Sequence, residues 1–264
     1  MLFFGKKVFY LLRNFSNHPG RDNERGRGGE AQELHPTFPL VAFSSVPRCP
    51  PVHGTIMTTA MTKFSTVAPK ETIERVMAAL KRNGIEPYFV ASGAEAKRKV
   101  LELLPEGAEV MNMTSVTLET IGAPAEINES GKYNAVRQKL MSMDSEKEGR
   151  EMRKLGAAPD YVLGSVHAMT EEGEVLIASN TGSQLPAYVY GAGNVIWVVG
   201  SQKLVKNLEE GMRRLYEYAL PLESERAKKA YGVPGSSVNK ILIVNREVQP
   251  GRITVIIVGE KLGF

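Results

Sequence analysis

Across 264 residues the chain has one cysteine, Cys49, so it can form no internal disulfide and no thiolate zinc or iron–sulfur centre of its own. A reducing compartment fits that composition. It also lacks any run of 18 or more apolar residues, so it offers no candidate membrane-spanning helix. The opening MLFFGKKVFYLLRNF resembles a signal peptide only superficially, because Lys6 and Lys7 break the apolar run and no small-residue cleavage site follows. The expectation is a soluble, cytoplasmic protein.

Charge of one sign is scarce as well. The formal net charge is +4, but residues 1–60 hold seven Lys/Arg against four acids, leaving 26 basic and 25 acidic side chains for the rest. A nucleic-acid reader would show a clustered basic face. The only such cluster is RGRGG, inside the first 60 residues, so a nucleic-acid partner is not expected.

Those first 60 residues are rich in Pro, Gly and Arg and have no sustained apolar period, a composition that cannot offset the entropy of ordering. They are expected to be disordered. His18, His35, His53 and Cys49 all lie there, too irregularly spaced for a metal site. Met57 and Met61 stand just before the first regular element, which raises an early start assignment for the extension.

From about Thr62 the pattern becomes regular. PKETIERVMAALKRNG places Ile73, Val76, Met77 and Leu80 on one helical face, with Pro69 at its start and Gly84 at its stop. The strand EPYFVAS, the helix GAEAKRKVLELLPEG and the strand AEVMNM follow, a β-α-β rhythm that favours a parallel sheet covered by helices. TSVTLETIG and the residues to Gly156 read as helices. YVLGSVHAMT reads as one strand, EEG as a turn and EVLIAS as the returning strand. NVIWVVG is a buried strand, KLVKNLEEGMRRLYEYAL and SERAKKAYG are helices, and KILIV and ITVIIVG close the chain. The fold class is α/β: one domain over residues 61–264, with a single mixed, mainly parallel sheet flanked by helices and a β-hairpin insertion.

Several stretches suggest chemistry. GAGN, Gly191 to Asn194, precedes a strand and lacks a third glycine, so it fails the dinucleotide-binding geometry and reads as a turn. MNMTSVTLETIG places Thr114, Ser115 and Thr117 between a strand end and a helix, where α/β proteins bind anions, although one hydroxyl would be needed there as a cap. VVGSQKLVKNLEE repeats the arrangement, with Ser201 as a cap and Lys203 in the first helical turn, either solvated or holding an anion. In HAMTEEGEVLIASNTGSQ, Glu171, Glu172 and Gly173 suit a tight turn. His167 reads as a hydrogen-bonded structural residue, and Thr181, Gly182 and Ser183 form a ligand loop.

Taken in order, MNMTSVTLETIG, SVHAMTEEGEVLIASNTGSQ, NVIWVVGSQKLVKNLEEGMRRL, ALPLESERAKKAYG and PGRITVIIVGEKLGF resemble the LUD domain, a family named for lactate utilization. The resemblance covers about residues 62–264. It implies a fold similar to the NagB/RpiA/CoA transferase-like group and a role as an accessory subunit in the oxidation of L-lactate to pyruvate. It further implies iron–sulfur and redox partner proteins that carry the clusters, with no cofactor in this chain. The alternative is a stand-alone enzyme acting on a CoA thioester or phosphosugar through a carboxylate, Glu119 or Glu172. By analogy of fold, Thr114, Ser115, Thr117, Thr181, Gly182, Ser183 and Lys203 would hold a small anionic ligand.

Overall fold

The structure, a computed structural model, describes residues 62–264; the expectations for residues 1–60 lie outside them. The first helix, α1 (Lys70–Arg82), buries Ile73, Val76, Ala79 and Leu80, the stripe its apolar spacing dictates. It leads into β1 (Glu86–Val90) and α2 (Gly93–Leu103), whose Ser92 cap accepts from the Glu95 amide at 3.3 Å while the Glu95 carboxylate accepts from the Ala91 amide at 2.9 Å. Next come β2 (Glu109–Asn112), α3 (Val116–Ile121), α4 (Ala123–Glu129), the short β3 (Asn134–Ala135), α5 (Val136–Ser142) and α6 (Ser145–Ala157).

The second half opens with β4 (Tyr161–Gly164) and the hairpin β5 (Ala168–Thr170) and β6 (Val175–Ser179). A π-helical turn (Ala187–Gly191) precedes β7 (Asn194–Gly200), and a 3-10 turn (Ser201–Lys203) precedes the two-residue β8 (Leu204–Val205). Helix α7 (Leu208–Arg214) continues through a π-helical turn (Leu215–Ala219) into α8 (Leu220–Tyr231), and β9 (Lys240–Val244) and β10 (Ile253–Val258) follow.

Six strands form one wholly parallel sheet in the order β1-β10-β7-β4-β2-β3. Its central strands are nearly continuous runs of Val, Ile and Leu because both faces are covered. The two-residue period divides them between two cores. Val195, Trp197 and Val199 pack with Ile73, Val76 and Leu80 of α1 and with Met169, Val175 and Ile177 of the hairpin. Ile196 and Val198 face the other way, onto Ala96 and Val100 of α2, Leu118 of α3 and Ile127 of α4.

The hairpin belongs to a second, four-stranded sheet, β8-β5-β6-β9. One mixed sheet was expected; the antiparallel pairing is instead confined to this separate layer. The expected single strand YVLGSVHAMT divides accordingly: β4 pairs in the parallel sheet, β5 in the second, and Ser165 to His167 cross between them. Both halves are equally apolar, so only the partners decide where one strand stops. The turn Glu171–Gly173 is as expected, with Gly173 at φ 80°.

Two further local expectations change. The helix after β7 starts at Leu208 with Asn207 as its cap, accepting from the Glu210 amide at 3.0 Å; Ser201 caps nothing. Residues Leu204 and Val205, expected as helix, pair as β8 beside β5, because Met169 and Thr170 offer them a strand edge.

Candidate functional site

The chain leaves the carboxyl ends of four adjacent parallel strands at the same edge: β2 into Met113–Ser115, β4 into Ser165–His167, β7 into Ser201–Lys203 and β10 toward Leu262. Open parallel sheets bind ligands at that edge. A cavity of about 250 Å³ lies there, lined on its other sides by the end of β6 and by α8.

Lys203 stands at its floor. The side chain is 2% exposed, and its Nζ reaches the Thr117 hydroxyl at 2.9 Å, the Ser165 hydroxyl at 3.1 Å and the Val166 carbonyl at 3.1 Å. No carboxylate among the described residues forms an ion pair with it. Burial first, and the Arg214 guanidinium second, hold the ammonium well below its ordinary range. Lys203, expected in a helical turn and either solvated or holding an anion, is therefore a buried amine, placed by the 3-10 turn that follows β7.

His167 lines the same cavity. Its Nδ1 accepts from the Ala178 amide at 3.1 Å, which puts the proton of the neutral ring on Nε2, where no group among the described residues accepts it. Arg214, buried behind it, donates to the His167 carbonyl and, at 3.5 Å, to the Phe64 carbonyl. Burial, then the charges of Lys203 and Arg214, lower the imidazole to about 3. An unfolded histidine titrates near 6.5, so between those values the unfolded chain binds the extra proton and stability falls as the pH drops from about 6.5 toward 3. The loss attributable to His167 reaches about 1.4 kcal/mol per pH unit. Urea unfolding of the wild type and of His167→Asn, which keeps an acceptor for Ala178, at pH 7 and pH 5 measures it: the variant's stability should depend less on pH, and equal slopes would refute the assignment.

The sequence-derived candidates are distributed as follows. Thr114, Ser115, Thr117, Thr181 and Lys203 line the cavity, whereas Gly182 and Ser183 do not, although they share a turn with Thr181. Ser115 is the cap of α3, accepting from the Leu118 amide at 3.5 Å, and Thr114 accepts from Arg137 at 3.3 Å. Both hydroxyl protons stay available. The Thr117 hydroxyl donates to the Leu262 carbonyl at 3.2 Å, so it serves to position Lys203. Glu119 and Glu172 are exposed and off the lining, the second at the far turn of the hairpin. Neither carboxylate is placed to act on a ligand here.

The carboxylate that does line the cavity is Glu223, and Arg226 pairs with it at 2.7 Å through both nitrogens it presents. That pairing raises the guanidinium's pKa. Tyr188, buried against Trp197 with ring centroids 5.5 Å apart, Tyr231 and Phe264 complete the aromatic part of the lining. Ser165, Glu223, Arg226, Tyr188 and Tyr231 were not singled out in the sequence. The available signals were slight: two polar residues, Ser165 and His167, interrupting an apolar strand, and an acid three residues before a base in LESER. Among the described residues no group of three or more His, Cys, Asp or Glu is placed to hold a metal ion, and no helix is long and apolar enough to cross a membrane.

Comparison with known proteins gives one family match, described as LUD domain, over residues 73–258. No curated protein matches. A solved structure described as a DUF162 family protein from Deinococcus radiodurans is 14% identical, with a TM-score of 0.46, over 73% of this chain and 99% of its own.

Proposed function

The chain belongs to the LUD domain family, which is associated with lactate utilization, and from that premise we propose that it binds a small carboxylate of the lactate or pyruvate class in the cavity at the sheet edge. In this reading it serves L-lactate oxidation as a subunit beside iron–sulfur partner proteins, which supply the clusters that a chain with one cysteine cannot ligate by itself. The supporting observation is the imbalance of the lining. The His167 Nε2–H and the hydroxyls of Thr114 and Ser115 are free donors, Lys203 adds a proton-accepting amine, and the lining's one carboxylate, Glu223, is already neutralised by Arg226. A carboxylate supplies the acceptors this set lacks, and with them the counter-charge that would favour the ammonium form of Lys203.

Calorimetric titration of the full chain with L-lactate, pyruvate and inorganic phosphate tests the reading. The two carboxylates should bind, with proton uptake that depends on the buffer, and Lys203→Met should weaken them at least about tenfold, or about 1.4 kcal/mol. Binding of phosphate with neither carboxylate would turn the assignment toward a phosphorylated ligand. Co-purification with iron–sulfur proteins tests the subunit role separately.

A further inference from the structure

The hydrogen bonds around Lys203 hold more than an anion site requires. Its Nζ has three oxygen neighbours within hydrogen-bonding distance, none of them a carboxylate. As an ammonium it would donate to all three while buried with no counter-charge among the described residues, which is costly. As a neutral amine it has two N–H groups and one lone pair, so one neighbour must donate to it. The Val166 carbonyl cannot donate. The Thr117 hydroxyl gives its proton to the Leu262 carbonyl at 3.2 Å. Ser165 alone remains, 3.1 Å away, its other acceptor being Thr117 at 3.3 Å.

We propose that Ser165 is a nucleophile whose proton is taken by Lys203, and that the cavity cleaves an ester or thioester of a short polar acyl group. Serine paired with a neutral lysine is an established solution to acyl transfer, because the amine accepts the hydroxyl proton as the oxygen attacks. Ser165 follows the end of β4, half-buried, and lines the cavity beside His167. The Nε2–H of His167 is the free donor for the oxygen that becomes negative.

The Ser165 Oγ–H bond breaks toward the Lys203 Nζ, the Oγ–C bond forms, and the carbonyl electron pair moves onto oxygen. Collapse expels an alcohol or thiol, which receives the proton from Lys203. Water then attacks the acyl-serine by the same route and releases a carboxylic acid. The product is thus of the class proposed above as ligand. The inference shares that cavity and does not depend on lactate or pyruvate binding to it.

A fluorophosphonate probe, which loses fluoride to an activated serine, tests the proposal on the full chain, with the adduct located by peptide mass spectrometry. One adduct is expected at Ser165, absent in Ser165→Ala and formed at least tenfold more slowly in Lys203→Met. In the wild type the labelling rate should rise with pH as the Lys203 amine loses its proton, under the fixed charges of Arg214 behind it and of the Glu223–Arg226 pair across the cavity. That profile requires no variant to fold. Absence of a Ser165 adduct on folded protein overturns the proposal, as does labelling indifferent to both pH and Lys203. Calorimetric binding of lactate without an adduct would remove the nucleophile and leave the carboxylate reading intact; an adduct without lactate binding would do the reverse.

Discussion

Replacing Arg252 by methionine should destabilise the protein by about 3–5 kcal/mol, the range found when one member of a buried ion pair is removed. The guanidinium is 6% exposed and is used on every side. It pairs with Glu247 at 2.7 Å and donates to the carbonyls of Ala192 at 3.0 Å, Ala187 at 3.2 Å and Tyr188 at 3.0 Å. Methionine restores the stem's packing and none of the donors, leaving carbonyls and a mostly buried carboxylate to be desolvated without partners. The Ala187 and Tyr188 carbonyls belong to the π-helical turn that carries Tyr188 to the cavity wall, and Ala192 follows it directly, so the loss should extend to the site. For a domain of this size the effect corresponds to a fall in Tm of roughly 6–12 °C, readable by calorimetry. A fall of less than about 2 °C would mean the guanidinium is dispensable. Arg252→Lys, retaining the charge but not the fork, should recover only part of the stability.

Gly191→Ala should also be costly, at about 3 kcal/mol, near the upper end of ordinary overpacking effects. A Cβ there would stand 1.8 Å from the Ala157 carbonyl oxygen and 2.9 Å from its carbon. The obstacle is backbone at the end of α6, which cannot rotate aside. Two residues away the situation differs: a Cβ on Gly193 would lie 3.2 Å from the Asp160 oxygen, a contact that a small shift relieves. Urea unfolding of the two variants should therefore rank them clearly, with Gly193→Ala nearly neutral. Equal destabilisation would contradict this account. GAGN is thus a packing feature: its first glycine lets α6 approach the start of β7, and neither glycine opens a phosphate-binding turn.

The division between what local sequence reveals and what it cannot is plain in two stretches. Apolar stripes at helical spacing located α1 and α2, and continuous Val/Ile runs located β7 and β10, because burial on one or both faces leaves a period that survives in a linear string. In VVGSQKLVKNLEE the same method placed Lys203 in a helix. Leu204 and Val205 have no intrinsic reason to be a strand; β5 supplies it from across the hairpin.

The site follows the same logic. Thr114, Ser115, Thr117 and Thr181 were legible as hydroxyls at strand ends, and Lys203 as a cation after β7, since strand ends can be counted from sequence. The carboxylates were not legible. Glu119 and Glu172 stand near the right motifs but point outward, while Glu223 comes from a helix almost sixty residues after the β4 crossing and meets the cavity only when α8 folds over it.

By itself, then, the sequence determined a helix-covered parallel sheet, because apolar period and turn residues are local properties. It also pointed to the edge at which polar groups gather. Only the tertiary structure decided that Ser165 and His167 lie in a crossing between two sheets, that Lys203 is a buried amine without a counter-ion among the described residues, and that Thr117 holds it in place. Protonation and hydrogen-bond direction depend on what surrounds a group in three dimensions, and the partners of Lys203 come from segments up to 86 residues away along the chain.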